Sequence, residues 1–160
     1  MPRSISLFFG KLIGHFLYYL IPLRKKVAMK NLEISFPHKS KNELNQILKK
    51  CYIHFGIIIS DFLRLPLLNE STIDKILDLD KKTKILLNEN SPSIIMTGHI
   101  GNWELFLPVL GYNNYKTSGV AQVQRNKNGE KFFNWIRSCK NTKIISKGNS
   151  IKSINEVLEK

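Results

Sequence analysis

Hydrophobic and polar positions along the first sixty residues follow the period of the α-helix. Residues 5–23 form the most apolar segment of the chain, and a second amphipathic pattern runs over residues 44–62 in steps of three and four. Ser40 and Glu43 have the spacing of a capping box, which predicts that the second helix begins there. The same spacing places Cys51 on the apolar face of this helix, where we expect a buried free thiol.

The apolar segment 5–23 has two interpretations. Its nineteen residues approach the length that spans a bilayer, but a narrow polar stripe interrupts it. Contact with a membrane, as a short anchor or as a helix in the membrane plane, is favoured over a buried helix of a soluble domain. The cluster Arg24-Lys25-Lys26 would then sit at anionic headgroups, and a spanning helix would leave the following chain on the cytoplasmic side. The stripe consists of Ser4, Lys11, His15 and Tyr18.

From residue 91 onward the pattern changes to short β-prone runs that alternate with helices. The order β-α-β-α-β-α implies a parallel sheet flanked by helices. Ligands of such sheets bind beyond the carboxyl ends of the strands, and His99 occupies that position after the first predicted strand. The predicted strands are 93–97, 117–123 and 143–146. One predicted helix begins at Trp103, a second spans 129–140 and a third begins at Ser150. A weaker, more acidic helix is predicted upstream, over 73–88.

These patterns predict an α/β protein in three parts. We expect a membrane-associated N-terminal helix over residues 1–23, a helical segment over 24–90 and an α/β core over 91–160. The core would be a parallel β-α-β sheet of three strands.

The net charge of +13 points to a polyanionic partner. Most of the excess lies in residues 1–60, with ten cations against two acids, and in residues 111–160, with ten against three. A nucleic-acid-binding surface would need a cationic stripe interleaved with aromatic residues, but the aromatic residues lie in the N-terminal helix and at core spacing. We therefore expect an anionic membrane surface or a phosphorylated substrate, and no nucleic acid.

The two cysteines suggest no metal site. Cys51 and Cys139 stand far apart, and neither belongs to a Cys-x-x-Cys or a Cys/His pair. We expect no disulfide, no metal ion and no other cofactor, and a reducing compartment is the default.

His99 and Glu104 form the candidate catalytic pair. On a continuous helix they would point about 140° apart, but a turn at Gly101 would place Glu104 in the first helical turn, from which it can reach the imidazole. The carboxylate would orient the ring, which would then accept a proton from a hydroxyl. Backbone N–H groups at the helix start, at Gly101 and Asn102, would support an oxyanion. The alternative is that His99 is an ordinary structural residue at a strand end.

The nine residues Thr97-Gly98-His99-Ile100-Gly101-Asn102-Trp103-Glu104-Leu105 resemble the signature of the bacterial lipid A biosynthesis (lauroyl/myristoyl) acyltransferase family. The resemblance extends in register over nearly the whole chain. It includes Asn31-Leu32 with Phe36-Pro37 upstream, and Arg125 and Trp135-Ile136-Arg137 downstream.

This resemblance implies a core of the glycerolipid-acyltransferase type and an enzyme of the HX4(D/E) class. Such an enzyme moves an acyl chain from acyl carrier protein to a hydroxyl of a phosphorylated lipid A precursor, at the cytoplasmic face of the bacterial inner membrane. By position His99 would be the general base and Glu104 its orienting partner. Arg137 would aid the oxyanion or contact the glycolipid phosphate, and Arg125 would be a second phosphate contact.

Family members continue through further strands that carry an Asp-Gln motif. The resemblance therefore implies that the chain corresponds to the N-terminal portion of such an enzyme, truncated at its C-terminus, and that its parallel β-α-β sheet is incomplete. Two alternatives stay open, namely an acyltransferase for another phosphorylated glycolipid such as a phosphatidylinositol mannoside, and an inactive membrane-surface fragment.

Overall fold

The computed structural model describes residues 2–77 and 79–159, without the side chain of Asn149. The chain divides into two compact units, residues 1–63 and residues 64–160. It is mostly helical, with a small parallel sheet in the second unit, which is consistent with the predicted α/β class.

The described residues form eight α-helices and two strands, joined in places by single 3-10 turns. In the first unit the helices are α1 (Arg3–Tyr19), α2 (Lys25–Ser35) and α3 (Lys41–Phe62). In the second unit the elements are α4 (Glu70–Ile73), α5 (Lys81–Glu89), α6 (Phe106–Tyr112), β1 (Thr117–Ala121), α7 (Lys127–Arg137), β2 (Thr142–Ser146) and α8 (Ser150–Leu158).

The first unit is built on an antiparallel crossing of α1 and α3 at which the two backbones nearly touch. Gly10 and Gly14 of α1 face Gly56 of α3, and a methyl group on Gly10 would lie only 2.9 Å from the carbonyl oxygen of Gly56. Small residues permit this approach because no side chain separates the helices. The crossing therefore turns one face of α1 inward and leaves its larger side chains outside.

Polar contacts fix one end of this crossing. The Arg3 guanidinium donates two hydrogen bonds to the carboxylate of Asp61, at 2.8 and 3.2 Å, and the Asp61 side chain is 6% exposed. Beside them the buried hydroxyls of Ser6 and Ser60 lie 2.6 Å apart. These bonds set the register of α1 against α3.

The predicted capping box of α3 is confirmed. The Ser40 hydroxyl accepts from the Glu43 backbone N–H, and the Glu43 carboxylate accepts from the Ser40 N–H at 2.8 Å. Leu44 and Leu48 are buried, as their spacing predicts. The prediction that Cys51 is buried is wrong, because Cys51 is exposed. Helix α1 contacts α3 through Gly56 and Ser60, and Cys51 is left outside this contact.

The outer face of α1 carries a band of exposed apolar side chains. Within the described residues no helix combines the length and the hydropathy needed to cross a membrane. Ser4 and Lys11 of the predicted polar stripe are exposed, while His15 and Tyr18 are half-buried. The band consists of Ile5, Phe8, Phe9, Leu12, Phe16, Tyr19 and Leu20, each between 44% and 69% exposed.

The second unit contains a two-stranded parallel sheet in which Thr117 pairs with Thr142 and Ala121 with Ser146. Both strands fall where the sequence predicts them. Helix α7 makes the crossover between them, and its Ile136 packs into the core, only 1% exposed. The other buried apolar side chains of this unit are Leu65, Ile73, Leu105, Val109, Leu110 and Ile145.

Two predicted elements of this unit are wrong. Residues 93–97 form no strand: the sheet of the described residues consists of β1 and β2, and Met96 is 93% exposed. A β-prone run becomes a strand only when its side chains also pack against neighbours. The helix predicted over 73–88 is interrupted, because Asp80 accepts from the Thr83 N–H and starts a new helix. Asp78, within that predicted helix, lies outside the described residues.

The α1–α3 crossing predicts that Gly56→Ala destabilises the protein. The new methyl group would overlap the backbone of Gly10 and Gly14. Overpacking of this kind costs about 1–3 kcal/mol or more, against a gain of about 1 kcal/mol in helix propensity. We expect a net loss of about 1–2 kcal/mol in the free energy of unfolding, measured by urea denaturation with far-UV circular dichroism.

Gly148→Ala is the matched control, because its methyl group would meet no atom within 4 Å. We expect no loss of stability from this change. A Gly56→Ala protein as stable as the wild type would contradict the close approach of the two helices.

Candidate functional site

The candidate site begins at a tight turn over residues 98–102. Gly101 has a φ of +62°, in the left-handed region that favours glycine, and the Ile100 N–H donates to the Gly98 carbonyl at 2.8 Å. A 3-10 turn over Trp103–Leu105 follows and leads directly into α6. The predicted turn is confirmed, and it places Glu104 in the first helical turn.

Glu104 pairs with Arg137, the last residue of α7. The Arg137 Nη2 and Nε atoms donate to the two carboxylate oxygens of Glu104, at 2.8 and 3.1 Å. The side chains are 15% and 23% exposed, so the pair is mostly shielded from water. The guanidinium also lies over the Phe133 ring, 5.1 Å from its centre. This two-pronged geometry is the strongest and most specific that a carboxylate and an arginine form.

His99 lies beside Trp103, with ring centres 4.8 Å apart and ring planes inclined by 56°. Its side chain is exposed. The hydrogen bonds that the structure gives to the Glu104 carboxylate come from Arg137 and not from His99. The expected contact between the imidazole and the carboxylate is therefore not formed in this structure. The catalytic roles of His99 and Glu104 stay predictions.

A small polar hollow of about 120 Å³ lies at the carboxyl ends of the two strands. Ala121 and Ser146, the last residues of β1 and β2, line it together with Arg137. This is the edge of a parallel sheet at which a ligand is expected. The remaining lining residues are Gln122, Glu130, Phe133, Asn134 and Ile144.

Glu130 organises the loop that enters α7. Its carboxylate accepts from the Gln124 backbone N–H at 2.6 Å and from the Asn134 side-chain amide at 3.0 Å. The Asn126 side chain caps the helix by accepting from the N–H groups of Asn128 and Gly129. Sequence reasoning missed Glu130 and Asn134 as site residues, although their spacing of four on a helix indicates a side-chain pair.

The other predicted site residues lie at different places. Arg125 is exposed, precedes the cap of α7 and does not line the hollow. Gly101 is exposed and Asn102 half-buried within the turn. The structure thus brings Glu104 and Arg137 together.

Cys139, two residues after α7, is a poor nucleophile. Burial raises the pKa of its thiol, although a hydrogen bond with the Thr142 hydroxyl acts in the opposite direction. The thiol is therefore protonated at neutral pH, and a thiolate is what attacks a carbonyl. This agrees with chemistry in which the substrate supplies the attacking hydroxyl.

The turn at Gly101 and the Glu104–Arg137 pair thus define the candidate site around the sequence motif. The family model of the bacterial lipid A biosynthesis acyltransferases matches residues 1–160, the whole chain, and the chain belongs to this family. No curated protein and no solved structure matches it. Family membership supports a general role in acyl transfer for lipid A biosynthesis.

The Glu104–Arg137 pair predicts a measurable coupling in a double-mutant cycle. Removing Arg137 leaves a mostly buried carboxylate without this partner, which costs about 1–3 kcal/mol. With Glu104→Gln and Arg137→Met we expect a coupling free energy of about 1–2 kcal/mol. It is obtained from the free energies of unfolding in urea of the wild type, the two single variants and the double variant.

Glu70 and Lys140 provide the matched control, because they also form an ion pair but are 64% and 43% exposed. An exposed pair contributes about 0–1 kcal/mol, so we expect the smaller coupling there. Equal couplings in the two pairs would show that burial does not strengthen the Glu104–Arg137 bond.

Proposed function

We propose that this chain carries the site for transfer of a fatty acyl group from acyl carrier protein to a hydroxyl of a phosphorylated lipid A precursor. The observation that carries the proposal is the bond between Glu104 and Arg137. Sequence reasoning selects these residues separately, and they lie 33 positions apart along the chain. Membership of the acyltransferase family supports the same reaction class.

His99 acts as the general base in this reaction. Its imidazole takes the proton from the acceptor hydroxyl as the hydroxyl oxygen attacks the thioester carbonyl carbon. A carbon–oxygen bond forms, the carbon–sulfur bond breaks, and the departing thiolate receives the proton from His99. No covalent enzyme intermediate is required, because the substrate brings its own nucleophile.

Glu104 orients the imidazole. A carboxylate offers about four acceptor positions, so the two hydrogen bonds from Arg137 leave capacity for a third donor. A change in the exposed turn at residues 98–101 would bring the His99 ring to Glu104. Arg137 then holds the carboxylate while the ring moves to it.

Cations and backbone N–H groups bind the rest of the substrate. The backbone at Gly101 and Asn102, where a helix begins, supports the oxyanion that develops on the thioester carbonyl. Arg125, exposed just before α7, contacts a phosphate of the glycolipid acceptor, and Arg137 aids the oxyanion or a phosphate.

The enzyme works at the cytoplasmic face of the bacterial inner membrane, with α1 as its contact with the bilayer. The band of α1 groups seven apolar side chains, each at least 44% exposed, and contiguous exposed apolar surface of this kind marks contact with a membrane or a protein. Arg24, Lys25 and Lys26 follow α1 and attract anionic lipid headgroups. A lipid acceptor requires such a location, because it resides in the membrane.

His99→Ala is expected to lower acyl transfer about 10²–10⁴-fold, the usual contribution of a general base. The assay follows a labelled acyl chain from acyl carrier protein to a phosphorylated lipid A precursor. Because His99 is exposed, the far-UV spectrum and the thermal midpoint should not change. His54→Ala, at an exposed position of α3, is the control and should keep wild-type activity. Undiminished transfer by the His99 variant would remove this residue from the mechanism.

Phe8→Ser with Phe16→Ser is expected to weaken binding to anionic vesicles about ten-fold or more, because both rings are half exposed and would enter the lipid. Co-sedimentation with vesicles of phosphatidylethanolamine and phosphatidylglycerol measures the partition of the protein between water and the vesicles. Leu86→Ser, on α5 and 51% exposed, is the control and should leave the partition unchanged. Equal partition of the α1 variant and the wild type would exclude α1 as the membrane contact.

A further inference from the structure

Helix α7 presents two neighbouring aromatic side chains to solvent. Trp135 is 60% exposed and Phe132 is 43% exposed, and their ring centres lie 6.2 Å apart. The two residues are three positions apart along the helix, so they share one side of it. Ile136, by contrast, is in the core. Two adjacent large aromatic rings at a surface indicate a binding partner.

The side of α7 that carries Trp135 is also positively charged. Lys127 and Lys131 precede Trp135 by two turns and one turn of the helix, and both are exposed. Neither lysine forms an ion pair with any residue that the structure describes. The carboxylate of Glu130 is engaged by the Gln124 N–H and the Asn134 amide. The partner should therefore be anionic and offer an apolar layer.

We propose that this face of α7, formed by Lys127, Lys131, Phe132 and Trp135, docks on an anionic lipid surface. The two rings enter the boundary between headgroups and acyl chains, and the two lysines lie among the headgroups. Aromatic residues beside cations on one helix are typical of segments that lie in the membrane interface. This inference rests on the proposed function and names a second lipid contact, on the unit that carries the candidate site.

An acidic protein is the competing occupant of the same face. Protein–protein interfaces favour arginine and are depleted in lysine, whereas anionic membrane surfaces attract both cations. Both cations on the face of α7 that carries Trp135 are lysines, namely Lys127 and Lys131, which favours the lipid surface.

Docking of α7 would place the site next to its lipid substrate. Arg137 is two residues beyond Trp135, about 3 Å along the helix axis but about 200° around it, so it points away from the docking face. The Glu104–Arg137 pair would then lie one helix diameter, about 10 Å, from the headgroup layer, where the phosphates of a glycolipid acceptor are found. The acceptor would reach the site without leaving the membrane.

The fluorescence of Trp135 tests the proposal directly. The chain has two tryptophans, so Trp103→Phe leaves Trp135 as the sole reporter. Vesicles of phosphatidylethanolamine and phosphatidylglycerol should shift its emission to shorter wavelength, and brominated acyl chains should quench it. Vesicles of phosphatidylcholine alone should have little effect.

Substitutions in the full chain measure the contribution of each group. Phe132→Ser with Trp135→Ser should weaken vesicle binding about ten-fold, and Lys127→Gln with Lys131→Gln several-fold with a smaller dependence on salt. Leu86→Ser is the exposed apolar control and should change nothing. Far-UV circular dichroism confirms that each variant is folded.

The outcomes separate this inference from the proposed function. If the chain binds vesicles through α1 but brominated lipid does not quench Trp135, the α7 contact is wrong and the membrane location stands. A blue shift produced by acidic acyl carrier protein and not by vesicles would assign the face to a protein. Absence of any vesicle binding by the wild type would overturn the α7 contact and the membrane location, whereas the proposed reaction is tested separately by the acyl-transfer assay.

Discussion

The bond between Glu104 and Arg137 is the constraint on which the candidate site depends. It joins the start of α6 to the end of α7, and both side chains are mostly buried. Breaking it would leave a charge shielded from water without its partner, which is more costly than losing an ordinary surface contact. Residues 91–101 are exposed throughout, so this pair and the buried Leu105 hold the downstream end of the turn that carries His99. His99 thus lies on a segment that is exposed on its upstream side and anchored on its downstream side.

The α1–α3 crossing follows a different physical rule, in which small residues decide the contact. Ser6, Gly10 and Gly14 repeat every four residues on α1 and meet Gly56 and Ser60 of α3. A search for apolar periodicity passes over such a stripe, because these side chains have little hydrophobicity. The large apolar residues of α1 are consequently on its outer face. Their spacing is the same whether that face packs against protein or against lipid, so the sequence pattern cannot distinguish the two.

Local signals are the part of this structure that the sequence predicts well. The capping box at Ser40, the turn at Gly101 and the two paired strands each depend on a few adjacent residues, and each is found as predicted. The exposure of Cys51 and the failure of residues 93–97 to form a strand depend on what packs against them. The partner of Glu104 depends on the crossover that brings the end of α7 to the start of α6. None of these three is encoded within a short window, so composition and spacing alone cannot supply them.

Arg137 changes the electrostatic argument for the catalytic pair. A carboxylate without a cation would stabilise an imidazolium mainly through its charge, whereas the charge of Glu104 is largely balanced by the guanidinium. What Glu104 would then offer His99 in the proposed mechanism is an acceptor position fixed by two hydrogen bonds from Arg137. Fixed geometry of this kind lowers a barrier by removing the cost of orienting the reacting groups. In the proposed mechanism the pair would therefore contribute to acyl transfer chiefly by position, and His99 would supply the proton chemistry.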